Sequence, residues 1–189
     1  MEHSDVDRLI KALHPWLKEK RWFGSGRSVR VVEYIELEKG IMVCIKHGRK
    51  MQTVFIAFSS QGEEVVVNGH HYRVCEGEYD TGFMNSFIQA AMQGINGIRC
   101  EMLDGAIENI SRIEPVSLDS SNIVVKLANA ETVVYKSYKI LDRHNPEAEV
   151  MNALTKGGFP YMPKLKGAVY FNDIPMGIFM EYLENTVDG

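Results

Sequence analysis

The sequence predicts an α+β protein built from two consecutive units, each an antiparallel sheet with helical cover. Three observations lead to this fold class. Short runs of β-branched residues, separated by turn residues, recur along most of the 189-residue chain. Three stretches with apolar residues at helical spacing flank or interrupt these runs. A stretch with three glycines at 94–105 separates two groups of strands, so we divide the chain at 104/105.

The first unit, residues 1–104, begins with a predicted helix and continues as an antiparallel meander. The helix breaks or kinks at Pro15. Turns are predicted at Gln61-Gly62 and at Asn68-Gly69, a pair typical of two-residue hairpins. An amphipathic helix over 81–93 covers one face of the sheet. The predicted strands are Val29–Leu37, Ile41–His47, Thr53–Phe58, Glu64–Val67 and Tyr72–Val74.

The second unit, residues 105–189, has three predicted strands, then a helix from Pro146 to about Lys156, then two strands. Adjacent strands joined by short turns pair antiparallel, which gives a five-stranded sheet with one helix. The predicted strands are Ile107–Pro115, Asn122–Leu127, Thr132–Leu141, Lys166–Phe171 and Gly177–Leu183.

Composition and charge narrow the function classes. The net charge of −4 argues against a general electrostatic grip on nucleic acid or anionic membrane. No apolar run approaches the roughly 20 residues of a membrane span, and the first residues do not resemble a signal peptide, so we expect a cytoplasmic protein. The three cysteines are widely spaced and are expected to be reduced core residues. The scattered histidines predict no metal site.

Lys136 is the residue most indicative of chemistry. It is the lone lysine in the apolar run Val133-Val134-Tyr135-Lys136, and an unpaired ammonium is unfavourable in such a strand. Glu149 lies thirteen residues on, in the first turns of the next helix, where it can reach back to hold Lys136 beside an anion. The alternative is that Lys136 extends from an edge strand into solvent and Glu149 only favours the start of a helix.

The turn Asp119-Ser120-Ser121-Asn122 lies between the first two strands of the second unit. Its hydroxyls and backbone N–H groups suit phosphate oxygens, although an ordinary hairpin turn uses the same residue types. The chain contains neither G-x-x-x-x-G-K-[ST] nor G-x-G-x-x-G, which excludes a P-loop NTPase and a protein kinase with the usual glycine loop.

Several segments taken together resemble the maltokinase family over nearly the whole chain. They are Trp16-Leu17, Arg21-Trp22-Phe23, Ser121-Asn122, Lys136, Asn145 to Val150, Gly158-Phe159-Pro160 with Pro163, and Glu181-Tyr182. The resemblance implies an aminoglycoside-phosphotransferase-like fold, in which an N-terminal cap precedes a kinase small lobe. It also implies the reaction of the family, in which ATP and Mg²⁺ convert maltose to maltose 1-phosphate.

The same resemblance implies roles for individual residues. Ser120, Ser121 and Asn122 would line the phosphate loop. Lys136 would contact the α- and β-phosphates of ATP, and Glu149 would orient it. Glu181, Tyr182 and Leu183 would form the hinge whose backbone holds adenine. The lysine-bearing glycine turn of the family is replaced here by Gly24-Ser25-Gly26-Arg27, so no role is carried over to that turn.

A kinase of this type takes its catalytic base and its Mg²⁺ ligands from a large lobe that follows the hinge, and only six residues follow Leu183. We therefore expect the chain alone to be inactive, with weak or latent ATP binding and with Mg²⁺ only if a catalytic lobe is supplied. A separate catalytic lobe is one expected partner. Self-association through an exposed apolar face at Ile178, Phe179 and Met180 is another. A truncated form, one half of a split or degenerate kinase, and a non-catalytic binding or regulatory module remain open.

Two other clusters of charged residues suggest further interpretations. Basic residues around Trp22 and Phe23 either form a solvated rim over a buried aromatic pair or bind an anion or a glycan. Glu76, Glu78 and Asp80 are expected in a solvated loop that leads into a helix.

Overall fold

The computed structural model describes residues 2–23, 29–105, 107, 109–118, 121–128 and 131–184. It confirms the α+β class, with two antiparallel sheets and few helices. The helices are α1 His3–Ala12, α2 His14–Lys18, α3 Thr81–Gln93 and α4 Glu147–Lys156. The strands are β1 Arg30–Leu37, β2 Gly40–His47, β3 Lys50–Val67, β4 His70–Glu76, β5 Ile98–Met102, β6 Arg112–Leu118, β7 Asn122–Ala128, β8 Thr132–Tyr138, β9 Ile140–Leu141, β10 Leu165–Phe171 and β11 Ile174–Glu181.

The first sheet has the order β1-β2-β3-β4, and β9 pairs with β3. The Asn68-Gly69 hairpin is confirmed, with positive φ at both residues. The turn predicted at Gln61-Gly62 is wrong, because β3 runs through it and only the pairing with β4 shifts between Phe58 and Glu63. Gly62 is needed there, since a Cβ atom on it would lie 2.5 Å from the Val74 backbone.

Helices cover the first sheet as the apolar spacing predicts. Pro15 lies at the start of α2, so the break in the N-terminal helix is confirmed. Asp80 caps α3 by accepting a hydrogen bond from the Phe83 N–H at 2.8 Å. The rings of Phe83 and Phe87 pack on Phe55 of β3.

The second sheet has six strands in the order β5-β10-β11-β8-β7-β6, one more than predicted. The extra strand, β5, precedes the predicted division at 104/105 but pairs with β10 of the second sheet. In the other direction, β9 leaves the second group of strands and pairs with β3 of the first sheet. The division between the sheets is therefore crossed twice by the chain, and one apolar core spans both sheets.

A buried ion pair lies beside the second crossing, at the residue before β9. The Lys139 Nζ lies 2.6 Å from the Glu78 Oε1, and both side chains are 0 % exposed. Ser137 donates its hydroxyl to the same oxygen at 2.9 Å, and the ammonium lies 4.2 Å from the centre of the Trp22 ring. The solvated loop predicted for Glu78 is thus wrong, because the short 3₁₀ turn 77–79 directs this carboxylate inward.

The backbone of Lys139 joins the sheets as well. Its N–H donates to the Ser121 carbonyl at 2.9 Å, and its carbonyl accepts from the Thr53 N–H at 3.0 Å. The Thr53 hydroxyl also donates to the Tyr138 carbonyl at 3.0 Å. A single residue thus connects β3, the end of β8 and the start of β7.

The apolar face expected to drive self-association is not exposed. Ile178 and Phe179 are fully buried, one on each side of the second sheet, and Met180 is half-buried. Because alternate residues of a central strand point to opposite faces, β11 is covered by the shared core on one side and by α4 on the other. The expected self-association through this face therefore has no exposed apolar surface to drive it.

Lys139→Met tests the buried ion pair. The change leaves the Glu78 carboxylate buried without its cation, which should lower the free energy of unfolding by about 3–5 kcal/mol. Lys166→Met is the control, because the partner carboxylate of Asp104 is largely exposed, and it should cost less than about 1 kcal/mol. Urea unfolding measures both values, and equal losses in the two variants would contradict a structural role for the buried pair.

Thiol reactivity provides a second test of the core. Burial raises the pKa of the Cys44 thiol to about 12, with a smaller contribution from Glu33, and burial raises that of Cys100 to about 12. Only the thiolate reacts, so at pH 8 both thiols should stay unmodified by a disulfide reagent in the native protein and react when urea unfolds it. Equal native and unfolded rates would show that these cysteines are not held in the core.

Candidate functional site

Lys136 forms a bidentate ion pair with the first residue of α4. Its Nζ lies 2.7 Å from the Glu147 Oε1 and 3.0 Å from the Glu147 Oε2. The pair is only partly covered, with the two side chains 23 % and 33 % exposed. Because alternate residues of β8 point to opposite faces, Tyr135 and Ser137 enter the shared core while Lys136 lies on the face that carries α4. The ammonium is thus held in place and remains accessible to an anion.

The partner differs from the predicted one. Glu149 is exposed, and Glu147 occupies the position beside Lys136 that was expected for it. Asn145 accepts a hydrogen bond from the Glu147 N–H at 3.0 Å and so fixes the start of the helix. Residues two apart on a helix project about 200° from each other, so only one of the two glutamates can face the sheet. The pairing of Lys136 with Glu149 is therefore corrected.

Half-buried apolar side chains continue the Lys136 face. Val124 lies directly opposite Lys136 in the β7–β8 ladder, and Met180 lies opposite Val134 in the β8–β11 ladder. Directly opposite residues of an antiparallel pair share a face, so the three apolar side chains lie in one band beside the ammonium. We call Val124, Val134 and Met180 the apolar band.

The predicted hinge follows this band at the end of β11. The Glu181 N–H donates to the Lys164 carbonyl at 2.9 Å, so this N–H is not available to a ligand. The Tyr182 ring lies under the Lys126 ammonium at 4.3 Å, and Leu183 is 36 % exposed. Backbone contacts to a bound ring therefore fall to residues 182 and 183.

Of the predicted phosphate loop, Asn122 lies at the other end of the same face. Ser120 lies outside the described residues. Asn122 is opposite Tyr138, two residues further along the strands than the level of Lys136, a distance of about 7 Å. Its Nδ2 donates to the Ser121 Oγ at 3.0 Å. Ser121, Asn122 and Lys136 therefore lie at one end of the sheet, with the apolar band and the hinge towards the other.

The described residues offer neither a cluster of metal ligands nor a membrane-spanning helix. No group of three or more histidine, cysteine, aspartate or glutamate side chains within the described ranges is arranged to hold a metal ion. No described helix is long and apolar enough to cross a membrane. The site as described can bind a planar apolar group and an adjoining anion.

Comparison with solved structures gives several similar folds, including two glucosamine kinase structures, whereas no protein-family profile and no curated protein matches the chain. The first is a glucosamine kinase in complex with glucosamine, ADP and inorganic phosphate. It superposes with a TM-score of 0.60 at 17 % identity, over 88 % of this chain and 38 % of that one. The second is crystal form B of a glucosamine kinase, with a TM-score of 0.52 at 17 % identity over 86 % and 36 %.

This chain has the fold of the N-terminal part of a sugar kinase. The predicted α+β fold class is thereby confirmed, since the similar structure covers 88 % of this chain. The chain spans less than two fifths of the length of the glucosamine kinase structures that it matches. At this identity the likeness concerns the fold, and glucosamine and ADP are ligands of the first of those two structures.

The roles of three structurally important residues could not be predicted from the sequence. The sequence favours Glu149 over Glu147 only because residue spacing does not define which side of a helix faces the sheet. That side is defined once the first residue of the helix is known. Glu78 and Lys139 form the buried pair, although both are charged residue types and Glu78 stands between Glu76 and Asp80. One signal was present, since residues 135, 137 and 139 alternate with 136 and therefore belong to the opposite face of the strand.

A double-mutant cycle separates the two glutamates. Lys136→Met combined with Glu147→Gln should show a coupling of about 0.5–1 kcal/mol in the free energy of unfolding, as expected for a partly exposed bidentate pair. Glu149→Gln is the matched control and should couple to Lys136→Met by less than about 0.3 kcal/mol. Urea unfolding of the variants measures both terms. A larger coupling with Glu149 would reassign the partner of Lys136.

Proposed function

We propose that this chain is the nucleotide-gripping part of an ATP-dependent sugar kinase. The observation that supports the proposal is the Lys136–Glu147 ion pair, in which a lysine of the third strand of the kinase-like lobe is held by a glutamate of the following helix. In kinases the corresponding pair positions the lysine against the α- and β-phosphates of ATP. Glu147, rather than Glu149, would have this positioning role.

The other parts of the face suit the rest of the nucleotide. The apolar band offers a surface for adenine, and the backbone at residues 182 and 183 lies at its end. Ser120, Ser121 and Asn122 would cover the phosphates from the turn between β6 and β7. The apolar band proposed for adenine and the Lys136 ammonium proposed for the phosphates lie one after the other along the sheet, as the base and the phosphates do in ATP.

Transfer of the γ-phosphoryl group needs a base and Mg²⁺ ligands in addition to this grip. The described part of this chain offers no metal ligand set, so no catalytic step is assigned to its residues. We propose that the base and the metal ligands belong to a catalytic lobe that acts together with this one. ATP as the donor and the three free cysteines fit a cytoplasmic enzyme.

The acceptor is proposed to be a sugar hydroxyl. The sequence segments that resemble maltokinases favour the anomeric hydroxyl of maltose, whereas the similar solved structures are glucosamine kinases. The residues described above recognise the nucleotide rather than the sugar. We retain maltose as the more specific proposal and glucosamine as its competitor, to be compared as acceptors in an ATP-dependent phosphorylation assay that includes the catalytic lobe.

Titration of ATP into isotope-labelled protein tests the grip. We expect amide shifts at residues 121–124, 134–136 and 182–183, with a dissociation constant of about 1 mM, or about −4 kcal/mol, because the site contacts the nucleotide from one side only. Lys136→Ala removes a charge-assisted contact of roughly 1.5–3 kcal/mol and should abolish measurable binding.

Lys166→Ala is the matched control, because it removes a lysine of the same sheet whose ammonium pairs with Asp104 and Glu131 and not with Glu147. It should leave the ATP shifts unchanged. Shifts that persist in Lys136→Ala, or that cluster elsewhere, would contradict the proposal. They would favour a non-catalytic binding module that keeps the kinase shape.

A further inference from the structure

A cavity of about 490 Å³ lies beside Lys139, where the two sheets meet, and is lined by residues of the 21–23 and 47–52 segments together with Ser121 and Ile140. Its volume falls within the range of small-molecule sites. Six of the residues that line it determine its chemistry, and we call the space they enclose the junction cavity: Arg21, Trp22, Phe23, Arg49, Lys50 and Gln52.

The charge of the junction cavity is opposite to that of the whole chain. Arg21, Arg49 and Lys50 contribute three permanent cations, and none of its described lining residues is an aspartate or a glutamate. The chain as a whole has 21 basic and 25 acidic residues, so this composition is unusual for its surface. In the described part of the chain, none of these three cations forms an ion pair with a carboxylate. The cavity therefore favours an anion, and arginine guanidinium groups suit phosphate oxygens in particular.

Gln52 adds a second requirement. Its side chain is 2 % exposed, and its Nε2 donates to the Trp22 carbonyl at 2.9 Å. Its Oε1 has no hydrogen-bond partner among the described residues. A buried amide oxygen without a donor is unfavourable, so a ligand that brings a hydroxyl or N–H group to this oxygen is favoured.

Trp22 and Phe23 favour one class of ligand over another. Trp22 and Phe23 are only 2 % and 6 % exposed, and the Phe23 ring is already stacked on His47. They form an apolar wall but present little open ring face on which a nucleobase could stack. A polyol needs hydrogen bonds rather than a stacking surface, and it brings several hydroxyl donors to Gln52.

We propose that the junction cavity binds a phosphorylated monosaccharide. Arg21, Arg49 and Lys50 would hold the phosphate, and the Gln52 Oε1 would accept a hydrogen bond from a sugar hydroxyl. The cavity meets the proposed nucleotide grip only at Ser121, because none of the six residues named above belongs to the Lys136 face. The inference stands whether or not the chain binds ATP.

Titration of labelled protein with glucose 6-phosphate tests the proposal. Amide shifts should cluster at residues 21–23 and 47–52, with a dissociation constant near 1 mM or below. Inorganic phosphate and glucose, each alone, should bind at least about tenfold more weakly, because each satisfies only one of the two requirements. AMP should also bind more weakly, because the cavity lacks a stacking surface.

Arg49→Gln combined with Lys50→Gln should weaken glucose 6-phosphate binding about tenfold or more, since both residues are exposed and their loss should not affect folding. Lys11→Gln with Lys18→Gln makes the same change of net charge on exposed helical residues and is the matched control. Gln52→Met, checked for folding by urea unfolding, should reduce the affinity for glucose 6-phosphate to that for inorganic phosphate.

Three results would overturn the proposal. Equal binding of inorganic phosphate and glucose 6-phosphate would reduce the cavity to a general anion site. Tighter binding of AMP would assign it to nucleotides. Equal weakening in the Lys11/Lys18 control would show that net charge, and not the cavity, attracts the ligand. Lys136→Ala should leave glucose 6-phosphate binding unchanged, so failure of this proposal and failure of the ATP proposal are distinguishable.

Discussion

The buried contact between Lys139 and Glu78 is the constraint on which the rest of the structure depends. An ion pair with both side chains fully buried is tolerated only where hydrogen bonds and a second attraction compensate for lost hydration. Here the Ser137 hydroxyl and the Trp22 ring supply them, and the Lys139 backbone joins both sheets. The two sheets therefore share a single apolar core.

This arrangement determines where chemistry can occur. Because side chains alternate along β8, directing Tyr135, Ser137 and Lys139 towards the cap turns Lys136 to the opposite face. There it meets Glu147 and the half-buried apolar band. The inward face of one short strand holds the two sheets together, and its outward face presents an accessible ammonium. The same strand thus links the stability of the fold to the proposed nucleotide site.

The sequence predicted the fold class, most strands and the position of Lys136, because alternating and helical apolar patterns report local structure directly. It did not predict that β3 passes through Gln61-Gly62, since the close approach of Val74 that requires this glycine is a long-range contact. It also assigned β5 to the cap and Glu78 to solvent, because the sheet a strand joins and the burial of a single carboxylate depend on distant partners. The choice between Glu147 and Glu149 required the helix start that Asn145 fixes.

We propose that Lys136 lies against the phosphates of a bound nucleotide. The most direct measurement uses an acyl phosphate of ATP, which acylates a lysine amine placed beside the phosphates, followed by peptide mass spectrometry. We expect Lys136 to be the main acylated lysine and excess ATP to suppress its labelling. Glu147→Gln should lower the yield of acylated Lys136 more than Glu149→Gln does. Labelling spread evenly over the exposed lysines and unaffected by ATP would contradict it.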